Sequence, residues 1–279
     1  MVATASASTL LDSVDPQLSR DLAAPYTSVG TIAGSGLQGS GVLIGDRWVL
    51  TAGHVAQGKA GGSFTIGGST YAVSSSIIHP DLAFPNSDLG LLLLQTSVGN
   101  VPAATLYQFG TPTDVLGLDA TWVGTGFTGD GSSGASPSLI ELRAFTNVID
   151  VFGDHPDYEG LPGTAILADF DSGLDADNSP GSDPTPSALE GCVAPGDSGG
   201  GVFVMIDGVP RLIGITSFRS TLDSRPQGTN SRYGAVSGAT YLDSFFPWIT
   251  ENTGILAVPE PSTAFLALTG LALIFRRRR

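Results

Sequence analysis

Cysteine is almost absent from this chain of 279 residues: Cys192 stands alone, so no internal disulfide can form and stability must come from packing. Basic residues are also scarce. Twelve Lys and Arg against 26 Asp and Glu leave a formal charge of −14, which repels phosphate backbones and argues against a nucleic-acid role. The chain lacks extended helical periodicity before its end, and its apolar runs fall short of the roughly 20 residues of a comfortable membrane span. Histidine occurs three times, at 54, 79 and 155, so any chemistry that needs an imidazole has few candidates.

Glycine and proline are plentiful: 38 Gly and 18 Pro punctuate short apolar runs such as "YTSVGTI", "GSGVLIGD", "RWVLTAGHV" and "GGGVFVMI". Runs of this length bounded by turn residues read as strands, and the expected class is all-β. Two strand-rich halves follow, over residues 25–112 and 113–252, joined by the loop-like "VGNVPAATLYQFGTPTDVLG". Tyr241 to Ile249 reads as a short helix closing the domain. Residues 1–24 are expected to lie outside the fold. "MVATASASTLLDS" has the small-residue character of an export cleavage region without a basic start or apolar stretch, which places the export signal upstream. The Asp-rich stretch from Ala168 to Gly191 offers hard oxygen ligands at Asp169, Asp171, Asp175 and Asp177. Its spacing is not that of a calcium loop, and it reads as a solvated acidic loop.

Chemistry concentrates in "GCVAPGDSGGGVF". Four glycines and an aspartate surround Ser198, a setting in which backbone N–H groups can crowd one point and stabilise an oxyanion. Such a serine needs a base. His54 follows the strand-like "WVLT" and a small-residue turn, whereas His79 and His155 precede prolines in turn-rich text. A carboxylate must hold the imidazole tautomer. Asp88 begins the apolar run "DLGLLLL" and has a rigid platform; Asp81, beside Pro80, is the competitor on a looser one.

"WVLTAGHV", "NSDLGLLLL" and "GDSGG", in this order, resemble the trypsin-like serine proteases of the chymotrypsin fold over roughly residues 25–249. The resemblance implies two six-stranded antiparallel β-barrels with the active site between them. It makes His54 the general base, Asp88 its orienting acid and Ser198 the nucleophile, with the N–H groups of Gly196 and Ser198 as oxyanion hole. It implies a serine endopeptidase acting on proteins or peptides, with no cofactor and no metal. Cys192, Ser217, Phe218 and Arg219 fall where relatives line the substrate pocket. Cys192 replaces the aspartate of trypsin-type enzymes, so a basic P1 side chain lacks a counter-ion. No Ile-Val-Gly-Gly segment is present to pair its freed ammonium with the aspartate before the nucleophile, here Asp197, whose partner stays unassigned. The α/β-hydrolase elbow also fits G-x-S-x-G, but that fold places its histidine after the serine and none follows Ser198. Two alternatives remain: a catalytically idle binding module of the extracellular matrix, and an esterase-like hydrolase.

The tail, residues 253–279, carries Pro259-Glu260-Pro261, an apolar segment from Ala264 to Phe275 and four terminal arginines. It resembles the PEP-CTERM sorting signal of Gram-negative bacteria. That resemblance implies processing by an exosortase-type enzyme, a transient inner-membrane anchor through an apolar helix with its arginines on the cytoplasmic side, and a mature protein at the surface or in the medium.

Overall fold

A computed structural model describes residues 8–35, 38–137, 140–156, 160–178, 183–221 and 230–260. The tail helix expected after residue 260 lies outside them. Among the described residues no helix is long and apolar enough to cross a membrane.

The strands, in chain order, are β1 Ser8–Leu10, β2 Val29–Ala33, β3 Gly39–Leu43, β4 Trp48–Thr51, β5 Ser63–Ile66, β6 Ser69–Ile78 and β7 Gly90–Leu94 in the first half. The second half adds β8 Tyr107–Gln108, β9 Asp119–Gly124, β10 Thr128–Asp130, β11 Gly134–Ser136, β12 Arg143–Val148 and β13 Val151–Phe152. It continues with β14 Ala165–Asp169, β15 Gly191–Cys192, β16 Gly201–Ile206, β17 Val209–Thr221, β18 Ala235–Tyr241 and β19 Val258–Pro259. Three short helices accompany them: α1 Pro16–Ala23, α2 Gly53–Ala56 and α3 Phe246–Thr253.

The first half is a closed six-stranded barrel, β2-β3-β4-β7-β6-β5, antiparallel throughout. Ile32, Val49, Leu50, Phe64, Leu91 and Leu92 of its strands are each fully buried, on one face or the other of the barrel wall. Each such side chain contributes on the order of 2 kcal/mol by leaving water. The second half is a half-barrel, a seven-stranded antiparallel sheet in the order β12-β9-β16-β17-β18-β14-β13. Trp122 and Phe145 stack in its core, with ring centroids 5.9 Å apart.

Residues 8–24 of the amino-terminal segment, expected outside the fold, are built into it. β1 lies between β10 and β15, parallel to the first and antiparallel to the second. α1 starts at an Asp15 cap with Pro16 in its first turn, and Ser19 Oγ donates to Ala144 O at 2.6 Å. Buried Arg143 donates to Pro16 O at 2.8 Å. The expectation rested on composition, but small polar residues suit a strand whose hydroxyls find buried acceptors. The closing helix is displaced relative to the sequence reading. β18 runs on to Tyr241, and α3 begins one residue before Pro247 and ends at Gly254, which takes the left-handed cap at φ 73°. Beyond it β19 pairs in parallel with β8, and Gly110 N donates to Glu260 Oε2 at 2.8 Å, so the first two residues of the Pro-Glu-Pro run rest on the body of the domain.

Candidate active site

β4 ends at Thr51, and the single-turn helix α2 follows, carrying His54. Gly53 sits so close to Leu89 O that a Cβ would meet it at 3.0 Å, which brings the turn against the start of β7. Asp88 stands there, completely buried. Its Oδ1 accepts from His54 N at 2.8 Å, and its Oδ2 lies 2.7 Å from His54 Nδ1. The imidazole is therefore held at both its backbone and its ring. A carboxylate that accepts from Nδ1–H leaves Nε2 as the proton acceptor, facing away from the acid. Asp81 plays no part in this: it is exposed, and its backbone N–H donates to His79 Nδ1 at 3.3 Å. His79 packs edge-on against Phe245 and Trp248, and burial lowers its pKa although the charge of Asp81 opposes the shift.

Ser198 arrives from the other half. Ser198 Oγ donates to Ser217 O at 3.4 Å, while Ser217 Oγ donates to Asp88 Oδ2 at 2.5 Å. A single residue of β17 thus touches both the serine and the buried acid. The serine hydroxyl makes no hydrogen bond to His54 among the described residues; catalytic bonds of this kind are often long before substrate binds. The turn that carries Ser198 is pressed onto the first barrel. Gly199, at φ +87°, leaves room where a Cβ would come within 2.1 Å of Ser40 O and Thr51 Oγ1. Ser40 N donates to Ser198 O at 2.8 Å, Ser40 Oγ donates to Gly196 O at 2.9 Å, and Ser40 Oγ accepts from Thr125 N at 2.9 Å. Among the described residues the backbone N–H groups of Gly196 and Ser198 donate to no protein acceptor, whereas those of Asp197, Gly199 and Gly200 are all used internally.

Asp197, next to the nucleophile candidate, is fully buried. Its Oδ1 accepts from Gly126 N at 2.8 Å, and its Oδ2 from Ala194 N at 2.8 Å and Ser8 Oγ at 2.9 Å. Burial pushes its pKa up to about 6, against the lowering effect of those three bonds.

Beside Ser198 opens a cavity of about 420 Å3, bounded by Val193, Ala194, Pro195, Ser217, Phe218 and Arg219, with Leu161 and Phe84 at its rim. Three of the four expected pocket residues are here. Cys192 is not: its side chain is buried in the core of the second half, because β15 is capped on one side by β1 and Ser237 Oγ approaches the sulfur at 3.5 Å. Burial pushes this thiol up to about 12, so it stays protonated and inert. Arg219 is tethered, with Nη1 donating to Ser231 Oγ at 2.8 Å. A second cavity of about 370 Å3 lies across Gly196, lined by Gln38, Thr125, Phe127 and Ile140. The Asp-rich stretch holds no group of three or more His, Cys, Asp or Glu arranged for a metal, among the described residues.

Three residues escaped the sequence reading in their present roles: Ser8, Ser40, and Ser217 as a partner of Asp88. No local pattern marks them, since their partners lie 189, 156 and 129 positions away.

A closed antiparallel barrel and a half-barrel meeting at a histidine, a buried aspartate and a glycine-flanked serine define the trypsin-like fold. Residues 17–148 match the Trypsin family, and residues 257–279 match the PEP-CTERM protein-sorting motif. Residues 17–148 are thus similar to a trypsin domain, and the tail matches a sorting signal that supports export to the cell envelope or medium. No curated protein matches it in sequence. Among solved structures it is similar to the secreted serine protease VesC from Vibrio cholerae, at 16% identity and a TM-score of 0.57, over 83% of this chain and 47% of that one. At that identity the likeness speaks for the fold, and the chain spans about half the length of that protease.

Proposed function

We propose that this protein is a serine endopeptidase that cleaves peptide bonds through an acyl-enzyme intermediate. His54 takes the proton of Ser198 as the hydroxyl attacks the scissile carbonyl, then returns it to the leaving amine. Asp88 holds the imidazole and stabilises the imidazolium. The free N–H groups of Gly196 and Ser198 receive the oxyanion, one such donor being worth about 3–4 kcal/mol in the transition state. The observation that carries this reading is the wholly buried Asp88, bonded to His54 at two points and accepting from Ser217 Oγ, while the Ser217 carbonyl accepts from Ser198 Oγ. The imidazole, 19% exposed, stands against that wholly buried carboxylate, the arrangement a general base held in one tautomer requires.

The cavity beside Ser198 takes the P1 side chain. Its lining is apolar apart from hydroxyls and Arg219, whose positive charge disfavours a basic P1 residue. β17, through Ser217 to Arg219, offers an edge to which substrate backbone can add as a strand. The tail is cut near Pro259–Pro261 by an exosortase-type enzyme, after a transient stay at the inner membrane through its apolar segment.

Digestion of a peptide library by the wild type and by Ser198→Ala tests the reading. Cleavage by the wild type alone is expected, with basic P1 residues depleted among the products. Equal cleavage by both proteins removes Ser198 from the mechanism, and cleavage of esters without peptides favours the esterase-like alternative. Tight, uncleaved binding of peptides by both favours the idle module.

A further inference from the structure

Asp197 is a buried carboxylate beside the nucleophile, and among the described residues no cation pairs with it. Two of its three donors are backbone N–H groups of the surrounding turns, at Ala194 and Gly126. The third is a hydroxyl from 189 positions earlier in the chain. Gly124 and Gly126 leave space for the carboxylate, since a Cβ at either would come within 2.7 Å of Oδ1 or of the Asp197 backbone. Asp197 also closes the turn through its backbone, with Asp197 N donating to Ala194 O at 3.0 Å and Gly200 N donating to Asp197 O at 2.8 Å. The orientation of the Gly196 and Ser198 N–H groups therefore follows from where this carboxylate is fixed.

β1, which pairs with β15 just before this turn, fixes it from far away in the chain. Ser8 is 1% exposed and sits at φ 60°, a conformation that costs a non-glycine residue free energy and persists only where surrounding contacts enforce it. The next residue does parallel work: Thr9 Oγ1 donates to Ser231 O at 2.6 Å, and Ser231 Oγ donates to Val193 O at 2.7 Å while accepting from Arg219. Two adjacent side chains of one strand thus reach the nucleophile turn and the wall of the substrate cavity.

We infer that Ser8 is a positioning residue: its hydroxyl, delivered by β1, holds Asp197 so that the Gly196 and Ser198 N–H groups converge on one point. This inference rests on the proposed peptidase reading for its effect on rate, and on geometry alone for its effect on the turn. Without the hydroxyl, a buried carboxylate loses one of three donors and the turn relaxes to find another. The oxyanion donors then move off their target, which costs transition-state binding more than substrate binding.

The test uses the full chain with Ser8→Ala and Ser8→Gly, a fluorophosphonate as probe, and amide hydrogen exchange. Both variants lose the hydroxyl, and glycine also relieves the positive φ. The expected result is a maximal inactivation rate lowered about tenfold or more in both variants, with the half-saturating probe concentration unchanged, and faster exchange at Ala194 and Gly126. Global unfolding in urea stays close to wild type for Ser8→Gly. Unchanged inactivation and exchange in both variants overturn the inference. So does a wild-type rate in Ser8→Gly alone, which would assign the effect to backbone strain. Failure of the wild type to react at Ser198 sinks the peptidase reading instead, and exchange at Ala194 and Gly126 then decides the role of Ser8.

Discussion

The two halves of this domain reach their shares of the site by different routes. In the closed barrel, His54 and Asp88 lie 34 positions apart and are joined by neighbouring strands of one sheet, β4 and β7. In the half-barrel, the Ser198 turn is completed by Ser40 of the first barrel and Ser8 of β1, besides Ser217 of its own β17. A closed barrel leaves no edge, whereas an open sheet leaves turns that are braced from outside. The bonds between His54 and Asp88 thus join neighbouring strands, with Ser217 and Thr240 of the second half also donating to Asp88, while the turn of the proposed nucleophile is held by long-range contacts.

The comparison predicts a graded series of losses. Ser198→Ala should lower peptide hydrolysis by about 10^6-fold while leaving unfolding in urea unchanged, since the hydroxyl makes only one long bond. A residual rate near wild type would break the assignment of the nucleophile to the half-barrel. Asp88→Asn should cost about 10^4-fold in kcat, because an amide has one acceptor oxygen and cannot accept from His54 N as well as from Nδ1–H and Ser217 Oγ. Its peptide-cleavage rate against that of wild type at neutral pH measures this directly. A loss of tenfold or less would show that the imidazole is held without its acid.

Ser40→Ala separates the halves more gently. It removes a buried hydroxyl that serves Thr125 N and Gly196 O, and should destabilise the chain by about 1–3 kcal/mol in urea unfolding, with activity falling through the Gly196 turn. A drop in stability with no change in activity would detach the turn from the first barrel.

The smallest effect concerns pH. The buried carboxyls raised above their ordinary range all sit in the second half. Burial, then the charge of Asp169, lifts Asp150 to about 8, and burial lifts Glu190 to about 7 and Asp197 to about 6. The folded chain therefore keeps protons that the unfolded chain releases near pH 4, and unfolding loses them. Stability from these groups is full below about pH 4 and declines as pH rises to about 8. The thermal midpoint should fall between pH 5 and pH 8, and Asp150→Asn should flatten that fall. An unchanged slope in Asp150→Asn would contradict the assignment.

The same division governs what could be read from the residues. "WVLTAGHV" and "NSDLGLLLL" announce themselves because strand, turn and functional side chain are contiguous, and "GDSGG" because backbone conformation at Gly196 and Gly199 demands glycine. The half-barrel's supports are ordinary serines, and nothing near Ser8 or Ser40 says which distant atom each will meet. Cys192 shows the reverse error. Counting six positions back from Ser198 places it in the pocket, but the pairing of β15 with β1, invisible in the local text, turns it into the core. Composition alone set the amino-terminal segment aside, although Asp15-Pro16 carries a clear helix start.

The central claim is that the first barrel's imidazole activates the second half's serine. Fluorophosphonate treatment of the wild type and of His54→Ala, followed by mass analysis of the peptide spanning Gly191 to Phe203, tests it most directly. The account predicts one adduct at Ser198 in the wild type and none in His54→Ala over the same time. Equal labelling of both, or an adduct on another serine, would contradict it.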